Sequence, residues 1–148
     1  MDIITTSLVC LAMNIYFEAR SEPVAGQIGV TEVVMNRVND DRYPNTVCEV
    51  IKQGPTRPSW KDHTVSYPVK NRCQFSWYCD GKADKIRDQA AWTQALTVAQ
   101  AVLDNPNKHI VKGATHYHAY YVKPGWASSK TPTAMIGDHL FYRWEKNK

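Results

Sequence analysis

The stretch MNIYFEARSEP, residues 13–23, ends one apolar run and opens another, and its reading decides what kind of fold follows. Upstream of it, Leu8, Leu11, Ala12, Ile15 and Ala19 recur at spacings of three and four, which predicts a helix over residues 7–19. Pro23 cannot continue that helix, but it suits the first position of a new one. The next segment, VAGQIGVTEVVMNRV (24–38), predicts the second helix, with Val24, Ile28, Thr31, Met35 and Val38 along one side. Gly26 and Gly29 weaken that helix by about 1 kcal/mol each relative to Ala, so close approach of a neighbour is expected there. Glu18 lies on the edge of the first apolar stripe, and Glu22 follows one helical turn later. The pair is either a solvated helix end or an acid held for chemistry.

Further along, DDRYPNT reads as a loop. Thr46 and Glu49 then form a T-x-x-E capping box for a short helix, VCEVIKQ. Residues 53–83 combine Gly and Pro with several aromatics and predict a long irregular region of the kind that carries function. Helical spacing returns over 84–104. The period then changes to two in ATHYHAYYV and again in HLFYRW, after a Gly137–Asp138 turn, which predicts a small antiparallel sheet. These elements predict a mostly helical α+β chain forming one domain over residues 1–148.

Bulk properties narrow the function. The net charge of +4 comes from scattered Lys and Arg with no basic run, which argues against nucleic acid as the partner. No apolar stretch is long enough to span a membrane. The amino-terminal segment carries Asp2 and no early Lys or Arg, so no secretory signal peptide is expected. Cys10, Cys48, Cys73 and Cys79 make no CxxC motif, which excludes zinc-finger and thioredoxin-type spacing. Cys73 and Cys79 could close a small loop and Cys10 could be core. Two disulfides and four thiols both remain open.

Three groups of residues could carry chemistry. Cleavage of a glycosidic bond needs a carboxylic acid that stays protonated near neutral pH, and burial among Ile15, Tyr16 and Phe17 together with Glu22 would push Glu18 that way. Arg20 points elsewhere on the helix and does not oppose this. The alternation of HYH sets His116, His118 and Tyr120 on one strand face, and with His139 they could form an open zinc site or simply line a polar groove. No HExxH motif supports a peptidase. Aromatics between Gln, Asn and Ser residues suit stacking on sugar rings, with Cys73 and Cys79 flanking QFSWY. No local signature supports a Cys–His nucleophile.

As a set, IYFEARSEPVAGQIGVTEVVMNRV, YPNTVCEVI, CQFSWYCDG, GATHYHAYYVKPGWA and IGDHLFY resemble, in order, the cell-wall hydrolase family typified by the SleB and CwlJ spore-cortex-lytic enzymes and their bacterial and phage relatives. The resemblance implies a lysozyme-like, mostly helical scaffold that cleaves peptidoglycan glycan strands without a cofactor or metal. It implies Glu18 as general acid and then base, with Glu22 supporting it. Gln27 and Asn36 match orienting or structural polar positions, and Gln74, Phe75 and Tyr117 match positions lining the cleft. By their chemistry, His118, Tyr120 and Trp126 are candidate sugar contacts. A lytic transglycosylase closes the muramic acid C6 hydroxyl on C1, so one carboxyl serves both steps. A muramidase-type hydrolase would need a second one from Glu22, Glu32 or a loop Asp.

The segment PTRPSWKDHTVSYPVKNR (55–72) lengthens the region before CQFSW, and the His and Cys pattern is closer to Gram-negative and phage relatives. With no signal peptide expected and no wall-binding repeat domain seen in the sequence, the expectation is a monomeric phage endolysin, made in the host cytoplasm and released by a holin to act on the cell wall in the periplasm; a virion-borne lysin and a host enzyme exported otherwise stay open. The competing classes are a non-catalytic peptidoglycan-binding domain and a histidine metalloenzyme cutting peptide stems.

Overall fold

The computed structural model describes residues 3–146; Asp2, on which the reading of the amino terminus turns, lies outside them. Four helices are followed by a three-stranded sheet: α1 (Ile3–Ala19), α2 (Val24–Val38), α3 (Val47–Ile51), α4 (Gln89–Asp104), β3 (His116–Ala119), β4 (Thr131–Ile136) and β5 (His139–Arg143). A hairpin of β1 (Thr56–Pro58) and β2 (Ser66–Pro68) interrupts the region between α3 and α4. Among the described residues, no helix is long and apolar enough to cross a membrane.

Pro23 sits at the N-cap of α2, with α1 ending just before it. α1 starts earlier than its sequence pattern suggests, at Ile3. The stripe predicted for α2 is only part of its buried surface: Thr31 is buried and Ile28, Met35 and Val38 pack against the core, but the burial extends further and leaves out Val24. Val24 is half exposed, while Val30, Val33, Val34 and the polar Glu32 and Arg37 are buried. The reason is that α2 is covered on two sides. Val34 packs with Leu11, Ile15, Val50 and Ala99, whereas Val30 and Val33 pack with Ala19, Val111 and Phe141. Gly29 is where β5 comes closest: a Cβ there would stand 2.8 Å from Cζ of Phe141. Phe141 is fully buried, a contribution of roughly 2–3 kcal/mol.

Side chains set the helix ends. Thr46 caps α3 by accepting from the Glu49 amide, and its hydroxyl donates to the Glu49 carboxylate at 2.7 Å. α4 begins later than predicted because Asp88 caps it, accepting from the Ala91 amide at 3.0 Å. The buried hydroxyl of Tyr16 fixes the same point by accepting from the amides of Arg87 and Asp88. All four cysteines are in disulfides, Cys10–Cys48 joining α1 to α3 and Cys73–Cys79 closing a short loop, so Cys10 is not a plain core residue.

The sheet order is β3-β5-β4, all antiparallel. β4 adds a strand to the two that the sequence predicts, and it turns into β5 at Gly137–Asp138, where Gly137 has φ +56°. β3 forms one edge of the sheet, beside the helices that hold Glu18 and Arg37.

Candidate active site

A cleft of about 230 Å³ opens where the end of α1, the end of α2, the 74–76 segment and β3 converge. Glu18, Arg37, Gln74, Phe75, Ser76, His116, Tyr117 and Trp126 line it. Glu18 arrives from the last turn of α1, on the helix whose Leu11, Ile15 and Tyr16 are buried. Burial pushes its carboxyl above the ordinary carboxylate range, while the Tyr117 hydroxyl, which donates to it, and the Arg37 charge pull it back. The same burial, with Glu18 beside it, keeps the Tyr117 hydroxyl protonated.

Arg37 is 5% exposed. Its Nε donates to the Thr115 carbonyl at 2.7 Å, and its guanidinium stands 5.1 Å from the Tyr43 ring and 5.4 Å from the Phe75 ring. Its Nη1 is buried without a hydrogen-bond partner. A cation so held favours a carboxylate on Glu18 without an ion pair that would fix it as one.

His116 is pushed down to about 4, by burial first and then by the charges of Arg37, Lys130 and Arg42. At neutral pH it is an uncharged ring, with Nδ1 sharing a hydrogen bond with the Thr115 hydroxyl at 2.9 Å. Trp126, on the 3-10 turn Gly125–Ser129, packs against it with ring centres 5.0 Å apart. The result is a cleft that brings together the rings of His116 and Trp126, the Glu18 acid and the exposed polar side chains of Gln74 and Ser76.

The other sequence candidates have different work. Glu22 turns away from the cleft: its Oε1 accepts from the Asp138 amide at 3.0 Å and lies 3.1 Å from Nδ1 of His139. It buttresses the β4–β5 turn. Gln27 caps the end of α1, donating to the Ala19 carbonyl at 3.1 Å and accepting from Gln94. Asn36 donates to the Ala114 carbonyl at 2.8 Å and ties α2 to the approach to β3. His118 stacks on Tyr142 and bonds its hydroxyl at 2.9 Å, standing behind Trp126 rather than in the cleft. Tyr120 is 63% exposed and outside it. Glu32 accepts from the amides of Ile110 and Val111 and holds that loop.

The three-histidine face is corrected as well. Across β3 and β5, His118 pairs with Leu140 and Ala119 with His139, so His139 shares a face with Tyr117 and not with His116 and His118. Among the described residues, no group of three His, Cys, Asp or Glu could hold a metal ion.

Sequence reasoning missed Arg37 and Ser76 as cleft residues. Arg37 had a signal: it continues the Val30, Val33, Val34 spacing, and a charge on a buried stripe has to answer to something.

The family model for cell wall hydrolases matches residues 21–142, and the chain belongs to that family. A spore cortex-lytic enzyme of Bacillus cereus is 46% identical over 136 residues, 88% of this chain and 42% of that protein. One from Halalkalibacterium halodurans is 29% identical over 136 residues, 88% of this chain and 33% of that protein. The chain thus spans about a third to two-fifths of the length of these relatives. Its fold matches the catalytic domain of the germination-specific lytic transglycosylase SleB from Bacillus anthracis, with a TM-score of 0.64 at 22% identity over 93% of both chains. The SleB catalytic domain of Bacillus cereus gives a TM-score of 0.65 at 22% identity, covering 94% of this chain and 91% of that one.

Proposed function

We propose that this chain cleaves the glycan strand of peptidoglycan as a lytic transglycosylase, with Glu18 as both acid and base. One observation carries the reading: Glu18 is the single carboxylate among the described residues lining the cleft, and it is partly buried beside a hydrogen-bond donor and a fixed cation. A retaining or inverting hydrolase needs two carboxyl groups flanking the bond. Of the sequence candidates for the second, Glu22 and Glu32 are committed to backbone amides elsewhere, and no loop Asp is among the described residues lining the cleft.

In the first step the Glu18 proton goes to the glycosidic oxygen as the C1–O bond breaks, leaving a carboxylate and positive charge at the muramic C1. Tyr117 and Arg37 stabilise that carboxylate. In the second step Glu18 takes the proton of the C6 hydroxyl as that oxygen bonds to C1. The acid is restored, the product is a 1,6-anhydro end, and no water is consumed. Gln74, Ser76 and Trp126 would hold the sugar, with neutral His116 adding a hydrogen-bonding edge and no competing charge.

The endolysin role rests on the resemblance of the His and Cys pattern to phage relatives. It entails lysis when the chain is expressed together with a holin and none with either alone.

The deciding experiment digests purified sacculi with wild type, Glu18→Gln and Glu22→Gln and reads the soluble products by mass spectrometry. Anhydromuramic ends from wild type and Glu22→Gln, reduced by roughly 10²–10⁴-fold in Glu18→Gln, are expected. Reducing ends instead would make the enzyme a muramidase, and full digestion by Glu18→Gln would remove Glu18 from the chemistry.

A further inference from the structure

The hairpin over residues 55–69 has no counterpart in the chemistry above. Both strands are exposed along their whole length, and Trp60 and Tyr67 are 83% and 54% exposed. A two-stranded ribbon is marginal in water by itself, so its root must hold it. Val69 donates to the Pro55 carbonyl at 2.9 Å, and Asn71 donates to the carbonyl of disulfide-bonded Cys79 at 2.9 Å. The next rung is the Gln74 amide on the Gln53 carbonyl, again at 2.9 Å, and Gln74 lines the cleft. The root of the ribbon is therefore tied by the backbone to the segment that lines the cleft.

Its surface has a defined chemistry. Between Gly54 and Cys79, Arg57, Lys61, Lys70 and Arg72 stand against Asp62 alone. Arg57 and Tyr67 are direct cross-strand partners and share one face, and Lys61 Nζ lies 5.6 Å from the Trp60 ring. Flat aromatic faces flanked by cations match a polymer of sugar rings bearing carboxylates, whereas a surface for apolar partners would not be rimmed with Lys and Arg.

We propose that this hairpin is a substrate-binding arm that extends the cleft. Trp60 and Tyr67 stack on sugar rings beyond the cleaved bond, and Arg57 and Lys61 meet carboxylates of the peptide stems. The proposal rests on peptidoglycan being the substrate.

The test is co-sedimentation of the full chain with insoluble purified sacculi, using Glu18→Gln to prevent digestion. Adding Trp60→Ala and Tyr67→Ala should weaken binding about tenfold or more, with the thermal midpoint unchanged because both rings are exposed. Trp60→Phe should restore most of it. Arg57→Ser with Lys61→Ser should weaken binding at low salt and matter little at high salt. Sacculus binding unaffected by the aromatic pair overturns the proposal. So does an aromatic-dependent attachment to phosphatidylglycerol vesicles without loss on sacculi, which would make the hairpin a lipid-binding element. Because the readout is binding, it stands apart from the digestion experiment: full activity of Glu18→Gln would refute the acid, and the same sedimentation, run in the cold over a time too short for digestion, would still judge the arm.

Discussion

The hydroxyl of Tyr117 on β3 donates a hydrogen bond to the carboxyl of Glu18 on α1, joining the sheet to the helices at the cleft. Tyr117 also packs against both apolar clusters, so its position is set by the core and not by the loop around it. The bond favours the charged form of Glu18, against the burial that favours the neutral one. Tyr117→Phe removes that support. The Glu18 carboxyl should then hold its proton to higher pH, moving the alkaline limb of the pH–rate profile upward. The carboxylate formed after bond cleavage loses stabilisation, and kcat should fall roughly tenfold, or about 1.4 kcal/mol. A limb that stays in place or moves down would show that the profile reports some other group.

The same carboxyl links stability to pH. Its folded value lies above the ordinary 4.5, so between those two values the folded chain binds more protons than the unfolded one. Stability therefore falls as pH rises through that window and levels off above it. Glu18→Gln has no such proton. The unfolding free energy of wild type minus that of Glu18→Gln should decrease as pH is raised from 4.5, as read by urea denaturation, with groups common to both cancelling. A flat difference would mean that Glu18 is not desolvated.

What the sequence made legible follows from which forces are local. The α1–Pro23–α2 unit was readable because its apolar spacing and its breaker act within one or two turns. That α2 is covered on a second side as well was not, because that depends on Phe141 and Val111 arriving from more than 70 residues away. β1, β2 and β4 carry Pro58, Pro68 and Pro132, which weaken a strand signal, and distant contacts or a neighbouring strand supply what local preference withholds. In the cleft, Glu18, Gln74, Phe75, Tyr117 and Trp126 do converge. Gln27 and Asn36 read equally well as ligand contacts or as caps and ties for backbone carbonyls, and packing chose the second. His118 illustrates the limit of strand alternation: it shares a face with His116, yet only His116 borders the cleft, because Tyr142 engages the His118 ring.

The two disulfides should separate stability from activity. Cys10–Cys48 spans 38 residues and ties α1 to α3 away from the cleft, so by chain entropy its loss costs about 4 kcal/mol. Cys73–Cys79 spans 6 residues, for which the same estimate is about 2 kcal/mol. Within that short loop lie Gln74, Phe75 and Ser76, three of the residues that line the cleft. Replacing Cys10 and Cys48 with Ala should lower the urea midpoint strongly and leave the turnover of folded enzyme near wild type. Replacing Cys73 and Cys79 with Ser should lower the midpoint less and turnover more, because the 74–76 segment loses its fixed shape. Sacculus digestion at equal folded concentration, measured beside urea unfolding, distinguishes these outcomes. If turnover survives loss of the 73–79 bridge, backbone hydrogen bonds at Gln53 and Val69 hold that segment without it.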